Sequence, residues 1–388
     1  MENFIFKSPT QFVFGADEHK RTGKYIAQCG GKKALVLYGG GSVLRSGRLQ
    51  EVVESLDAAG VDCVVQGGVQ PNPGSSFVYQ AIEAARAENV DFLLAVGGGS
   101  VIDTAKAVAA GVPYSGDFLD FYRGRPVEKA LPVGVVLTIP AAGSEGSPNT
   151  VITDEENKIK KGTKSDCLRP QFAILNPELT FTLPKYQSAC GICDMMSHIL
   201  ERYFTKTQDN AVTDRMCEAV LLAVKDSAMR VIIDSEDYQA QAALMWAGML
   251  AHNNICGVGR EQDWASHALA HQLSALYDVA HGAALAVVFP AWLHYCLDED
   301  VNLFAQLAAR VWQVPESDDK RQMGLQGIER FQDFLRGLGL PSKLEHLDVP
   351  AEAIPQLVEQ LHAACGDTVG NFKKLTMADA EAIYKDCQ

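Results

Sequence analysis

Asp194 and His198 stand four residues apart in the segment GICDMMSHILERYF, a spacing that puts both side chains on one face of a helix. Downstream, the stretch DWASHALAHQLSALYDVAHGAALAVVFP carries His267 and His271, again four apart, and then His281. One carboxylate and two or three imidazoles can chelate a divalent cation, and a set without thiolate suits Fe(II), Zn(II), Mn(II) or Co(II). A lone histidine on an amphipathic helix is ordinarily packed or solvated. These groups, however, share otherwise apolar segments, where an unpaired Asp or His is expensive unless bonded or metallated. A catalytic metal on such a set must still offer a position to a substrate oxygen, so its coordination number would exceed that of a closed structural site. His19, His252, His294, His346 and His362 lack comparable partners in sequence and read as structural or surface groups. Cys190 and Cys193 form a C-x-x-C without a second pair, which reads as incidental.

A second constellation is built from glycine. Gly97, Gly98, Gly99 and Ser100 follow the apolar run Phe92–Val96 and precede a helical run beginning at Val101. Glycines let backbone approach a ligand closely, and the free N–H groups at a helix start attract phosphate. Gly39, Gly40, Gly41 and Ser42 make a second turn of this kind after the first long strand, and two such turns on one sheet edge point to a nucleotide. In dinucleotide folds an acidic residue near the end of an early strand commonly holds the adenosine ribose hydroxyls, and it would repel a 2′-phosphate. The Gly39–Ser42 turn has no such residue, which favours NADP(H) over NAD(H).

The elements that must position these groups divide the chain in two. Up to residue 182, short apolar runs alternate with helical segments: Ala34–Tyr38, Val61–Val65, Phe92–Val96, Val133–Ile139 and Phe172–Leu175 as strands, with helices such as Leu49–Ala58 and Val78–Ala87 between them. Strands with nearly continuous apolar character are buried on both faces, as in a parallel sheet, so residues 1–182 read as an open α/β dinucleotide-binding domain of Rossmann-like type. From residue 183 to 388 the spacing turns helical, over roughly Tyr186–Phe204, Asn210–Ile233, Tyr238–Asn253 and Trp264–Tyr277, giving an all-α domain that carries the Asp and His cluster. No linker separates the halves, so the boundary is expected to be a tight joint, a usual place for a ligand cleft.

Charge narrows the partners. With 388 residues and a formal net charge of −14, and with no basic cluster, the surface would repel nucleic acid and anionic lipid alike. No apolar run reaches the roughly 18 to 20 residues needed to span a bilayer, and residues 1–7 have no signal-peptide core, so a cytoplasmic protein with reduced thiols is expected.

Taken together, the motifs resemble those of the iron-containing, or group III, alcohol dehydrogenases. The resemblance spans essentially the whole chain. It rests on GGGSVIDTAKAVA from Gly97, PNPG at Pro71–Gly74, TIPAAGSE at Thr138–Glu145, DMMSH at Asp194–His198, and the HALAH and AHGAALAVVFP stretches around His267 and His281. Within the family the chain is most similar to NADPH-dependent butanol dehydrogenases and broad-range aldehyde reductases.

The resemblance implies a dehydroquinate synthase-like architecture and a metal, Fe²⁺ or Zn²⁺, held by Asp194, His198, His267 and His281, with His271 near the substrate as a proton relay. It implies that Gly39, Gly40 and Ser42 face the adenosine end of the cofactor and Gly98, Gly99 and Ser100 its pyrophosphate, with Asn72, Asp103, Thr138 and Lys160 lining the rest. It also implies a homodimer acting on small alcohols and aldehydes by hydride transfer. Two positions depart from the family pattern: Ala142 where threonine is usual and Ser147 where close relatives often have asparagine. The competing readings are a polyol or hydroxy-acid dehydrogenase on the same scaffold, a metal hydrolase, which leaves the glycine turns unexplained, and a nucleotide sensor, which requires the metal cluster to be vestigial.

Overall fold

A computed structural model describes all of residues 1–388. Its sheet is six-stranded and entirely parallel, built from β1 (Gln11–Phe14), β2 (Lys33–Tyr38), β3 (Asp62–Gly67), β4 (Phe92–Gly97), β5 (Val133–Leu137) and the strand Phe172–Leu175, which is the eighth strand in chain order. The two strands before it, β6 (Asn149–Asp154) and β7 (Ile159–Lys164), pair as an antiparallel hairpin outside the sheet, so Phe172–Leu175 is β8. Across the sheet the order is β1-β8-β5-β4-β2-β3. Helices α1 (Thr22–Gln28), α2 (Ser42–Arg45), α3 (Arg48–Ala58), α4 (Ser75–Ala87) and α5 (Gly99–Gly111) complete the βα alternation.

The apolar runs are continuous because alternate residues face two cores. Leu35, Leu37, Leu93, Ala95, Val135 and Leu137 pack on the side of α4 and α5. Ala34, Val36, Phe92, Leu94, Val96 and Val136 pack on the opposite side, with Leu49, Val52 and Leu56 of α3. Both faces are thus covered, the arrangement a parallel sheet requires.

The rest of the chain is mainly helical: α6 (Lys185–Tyr203), α7 (Ala211–Ile233), α8 (Tyr238–His252), α9 (Ala265–Tyr277), α10 (His281–Cys296), α11 (Val301–Arg310), α12 (Lys320–Gly337), α13 (Ile354–Cys365) and α14 (Met377–Asp386). The chain resolves into two compact units, one of residues 7–183 with 235–253, the other of residues 1–6, 184–234 and 254–388. Helix α8 therefore belongs with the sheet: Met245 joins the core beside α4 and α5, and Trp246 sets its ring edge-on to Phe12 of β1 at 5.9 Å. The helical unit closes around an aromatic cluster in which Phe204 packs on Phe304 at 4.5 Å and on Trp292 at 5.5 Å.

Three features escape a periodicity reading. Strand β1 is four residues long, the β6–β7 hairpin is mostly polar, and the strand pair β9 (Thr368–Val369) and β10 (Leu375–Thr376) in the helical half has two residues per strand. None is long or apolar enough to print a pattern. The ten cysteines are all free thiols, including Cys190 and Cys193 on α6. No helix is long and apolar enough to cross a membrane.

Candidate metal centre and nucleotide edge

Within the helical unit, Asp194 and His198 occupy successive turns of α6, His267 lies in the first turn of α9, and His281 is the first residue of α10. Asp194, His267 and His281 each offer one ligand atom, and these atoms lie within 4.8 Å of one another. The Oδ1 of Asp194 is 3.8 Å from Nε2 of His267 and 3.8 Å from Nε2 of His281. His198 adjoins the triple, with Nδ1 3.6 Å from the same oxygen and its ring stacked on that of His267 at 4.6 Å. His271, one turn along α9, faces His281 with ring centroids 5.1 Å apart.

The residues fit a cation on two counts. Asp194 Oδ1 and His267 Nε2 are buried polar atoms without a hydrogen-bond partner, a costly condition unless a ligand completes it. Burial disfavours a charged His267, yet the neighbouring carboxylates of Asp194 and Glu201 outweigh it and raise the imidazole pKa, so negative charge is concentrated beside this ring. Two ligand atoms each about 2.1 Å from one ion can stand at most about 4.2 Å apart, so the 3.8 Å separations are compatible with a shared ion.

The sheet unit gathers the other constellation. Strands β5, β4 and β2 are adjacent and parallel, so Thr138, the Gly98–Ser100 turn and the Gly39–Ser42 turn stand at the carboxyl ends of three neighbouring strands. That end of an open parallel sheet is where nucleotides bind. Gly98 caps the start of α5, and a Cβ there would come 3.0 Å from Ile139, so a larger residue would crowd the loop that follows β5. Asn72 adopts a left-handed conformation and accepts a hydrogen bond from Lys160 Nζ at 2.8 Å, which brings the loop after β3 together with β7.

Asp103 is engaged by the protein through both oxygens: Oδ1 accepts from Ser144 Oγ at 2.6 Å and Oδ2 from the Val151 N–H at 2.9 Å. Its partner in this clamp is a residue the motif reading passed over. Lys106, fully buried on α5, donates to the carbonyl oxygens of Ser144, Ser147 and Asn149 at 2.6–2.9 Å and to Ser144 Oγ at 2.9 Å. Together they hold the Ser144–Gly146 turn and the hairpin against α5. The signal available in sequence was a lysine among alanines and valines in VIDTAKAVAA.

With this geometry in view, the comparisons are decisive. The family model described as iron-containing alcohol dehydrogenase matches residues 9–177, and the model for the C-terminal region of the Fe-containing alcohol dehydrogenase family matches residues 188–388. The chain belongs to the iron-containing alcohol dehydrogenase family. It is 40% identical to a probable NADH-dependent butanol dehydrogenase 1 of Bacillus subtilis, over 99% of both chains. It is 34% identical to the NADPH-dependent aldehyde reductase YqhD of Escherichia coli, again over 99% of both. The crystal structure of NADH-dependent butanol dehydrogenase A from Thermotoga maritima superposes with a TM-score of 0.96 at 40% identity, covering 100% of this chain and 99% of that one. The protein is accordingly an oxidoreductase of a family that works with a nicotinamide cofactor and a divalent metal.

Proposed function

We propose that this family member interconverts small primary alcohols and their aldehydes, of the size of butanol and butyraldehyde, with a preference for NADP(H). The observation that carries the cofactor reading is the composition of the nucleotide edge. The carboxyl ends of β2 and β3 present Tyr38-Gly39-Gly40-Gly41-Ser42 and Gln66-Gly67-Gly68, without a carboxylate to repel a 2′-phosphate. Arg45 adds a cation, its guanidinium lying over Gly41, where a Cβ would stand 2.6 Å from Nη1. The names of the relatives divide on this point, NADH in the Bacillus subtilis protein and NADPH in the Escherichia coli reductase.

Asp194, His198, His267 and His281 would hold the metal, which supplies, when bound, the positive charge that stabilises alkoxide character on the substrate oxygen. His271 stands beside His281 and is only half-buried, a position from which its imidazole can pass a proton between an alcohol and solvent. The glycine turns of the sheet unit bind the pyrophosphate with backbone N–H groups, and Lys160 and Asn72, joined to each other by a hydrogen bond, line another part of the cofactor site. The protein's own contribution is positioning and electrostatics.

The test is absorbance at the reduced-nicotinamide band when metal-loaded protein meets butyraldehyde with NADPH or with NADH, beside a chelator-treated control. Faster NADPH oxidation that collapses on chelation supports both parts of the reading. Preference for NADH overturns the cofactor part, and inertness across a panel of aldehydes redirects the substrate to polyols or hydroxy acids.

A further inference from the structure

Glu201 is the one acidic side chain of α6 that is wholly buried, seven residues past Asp194 and therefore on the same helix face. Its carboxylate is engaged through both oxygens at the start of α9. Oε2 accepts the Trp264 N–H at 2.7 Å, while Oε1 accepts the His267 N–H at 3.0 Å and lies 3.0 Å from His267 Nδ1. With both oxygens of the Glu201 carboxylate accepting backbone amides, the imidazole nitrogen facing Oε1 is the donor. Nδ1 carries the hydrogen, and Nε2 is left with its lone pair. That lone pair is the buried, partnerless atom 3.8 Å from Asp194 Oδ1.

We infer that Glu201 is a positioning residue for metal binding, fixing His267 in the Nδ1–H tautomer and aiming Nε2 at the ligand cluster. The inference rests on the metal-site reading given above. A carboxylate behind a ligating imidazole locks ring orientation and raises ligand basicity, and losing it typically weakens metal affinity. Glu201 also ties two ligand-bearing helices together, since its backbone oxygen accepts the Asp263 N–H at 2.9 Å immediately before α9. Asp263 provides a built-in contrast. It is also buried and braces the same helix start, accepting the N–H groups of Ala265, Asn371 and Phe372, but it makes no bond to His267.

The experiment is chelator competition for Zn(II) on full-length wild type, Glu201→Gln, Asp263→Asn and His267→Ala, with visible spectra of the Co(II)-loaded forms and melting curves of the apo forms. Glu201→Gln is expected to raise the Zn(II) dissociation constant by roughly 10- to 100-fold and to alter the Co(II) spectrum, whereas Asp263→Asn keeps wild-type affinity whatever it costs in melting temperature. Wild-type affinity in Glu201→Gln, or equal weakening in Asp263→Asn, overturns the positioning role. If wild type itself takes up neither ion, the metal-site reading falls and this inference with it. If His267→Ala loses the ion and Glu201→Gln does not, this inference falls alone. A readout independent of whether Glu201→Gln folds is the nitrogen spectrum of histidine-labelled wild-type zinc protein, with His267 assigned from His267→Ala: an Nε2-protonated ring overturns the proposal.

Discussion

Oδ1 of Asp194 and Nε2 of His267 face each other across 3.8 Å, both buried and neither hydrogen-bonded within the chain. The gap is too long for a hydrogen bond and short enough for a shared ion. His267→Ala should therefore remove bound metal and turnover together, read by metal analysis after dialysis and by aldehyde reduction in excess metal. Full activity of the metal-replete variant would exclude a ligand role for His267.

His271 should separate from that behaviour. It lies 6.4 Å from His267 by ring centroid and is not among the mutually close ligand atoms. His271→Asn is expected to keep wild-type metal content while kcat falls about 100-fold, the lower end of what a positioned acid or base contributes. A variant that loses its metal would make His271 part of the ligand sphere, and one with unchanged kcat would remove it from proton transfer.

The five apolar sheet strands and the helices of the second half were legible because burial on two faces and on one face write different periods into sequence. Phe172–Leu175 was read to the residue, and the others to within one or two at the ends, where turns compete with pairing. That Asp194 and His198 are neighbours was legible because i, i+4 spacing on a helix is also proximity in space, whereas no spacing says that His267 of α9 and His281 of α10 join Asp194. What periodicity cannot carry is a contact between distant segments. Lys106 meets Ser144 and Asn149 only after β5 and β6 have formed, and Glu201 meets His267 across 66 positions. Helix α8 presents ordinary helical spacing, and nothing in that spacing says that it packs with the sheet.

Gly40→Asp tests the proposed cofactor preference. A Cβ at that position meets nothing within 4 Å and its backbone angle is not one reserved to glycine, so Gly40→Asp should fold normally. The new carboxylate would oppose a 2′-phosphate and could accept from ribose hydroxyls. KM for NADPH should rise roughly tenfold, about 1.4 kcal/mol, with KM for NADH unchanged or lower. Equal changes for both cofactors would show that the adenosine end does not lie at this turn.

Lys106→Met tests the buried clamp. The ammonium has five oxygens within 3.5 Å and Asp103 nearby, although burial pulls its pKa down to about 8. Removing one partner of a buried charged network costs about 3–5 kcal/mol, because the groups left behind keep their desolvation penalty. The variant's thermal midpoint should fall by several degrees or more. A midpoint equal to wild type would mean that the apolar side chain repays the lost bonds.

Glu145 sets a pH dependence of stability with a defined sign. Its side chain is buried in the Ser144–Gly146 turn, and burial, only partly offset by its own backbone N–H and by Lys106, raises its pKa from 4.5 to about 7. A carboxyl whose pKa is higher in the folded chain binds more protons there than when unfolded, so its stabilising contribution is complete below pH 4.5 and is lost as pH climbs through 7. At 1.36 kcal/mol per unit this loss is about 3 kcal/mol. Lys106 works in a separate window, because its lowered pKa makes stability recover as pH rises from about 8 towards 10.5. Comparing wild type with Glu145→Gln below pH 8 therefore isolates the carboxyl. Thermal midpoints should show the glutamine variant gaining on wild type steadily between pH 4.5 and pH 7, the interval bounded by the two pKa values. A constant offset across that interval would mean that Glu145 titrates alike in the folded and unfolded chain, and that the charge in the turn is compensated by groups other than Lys106.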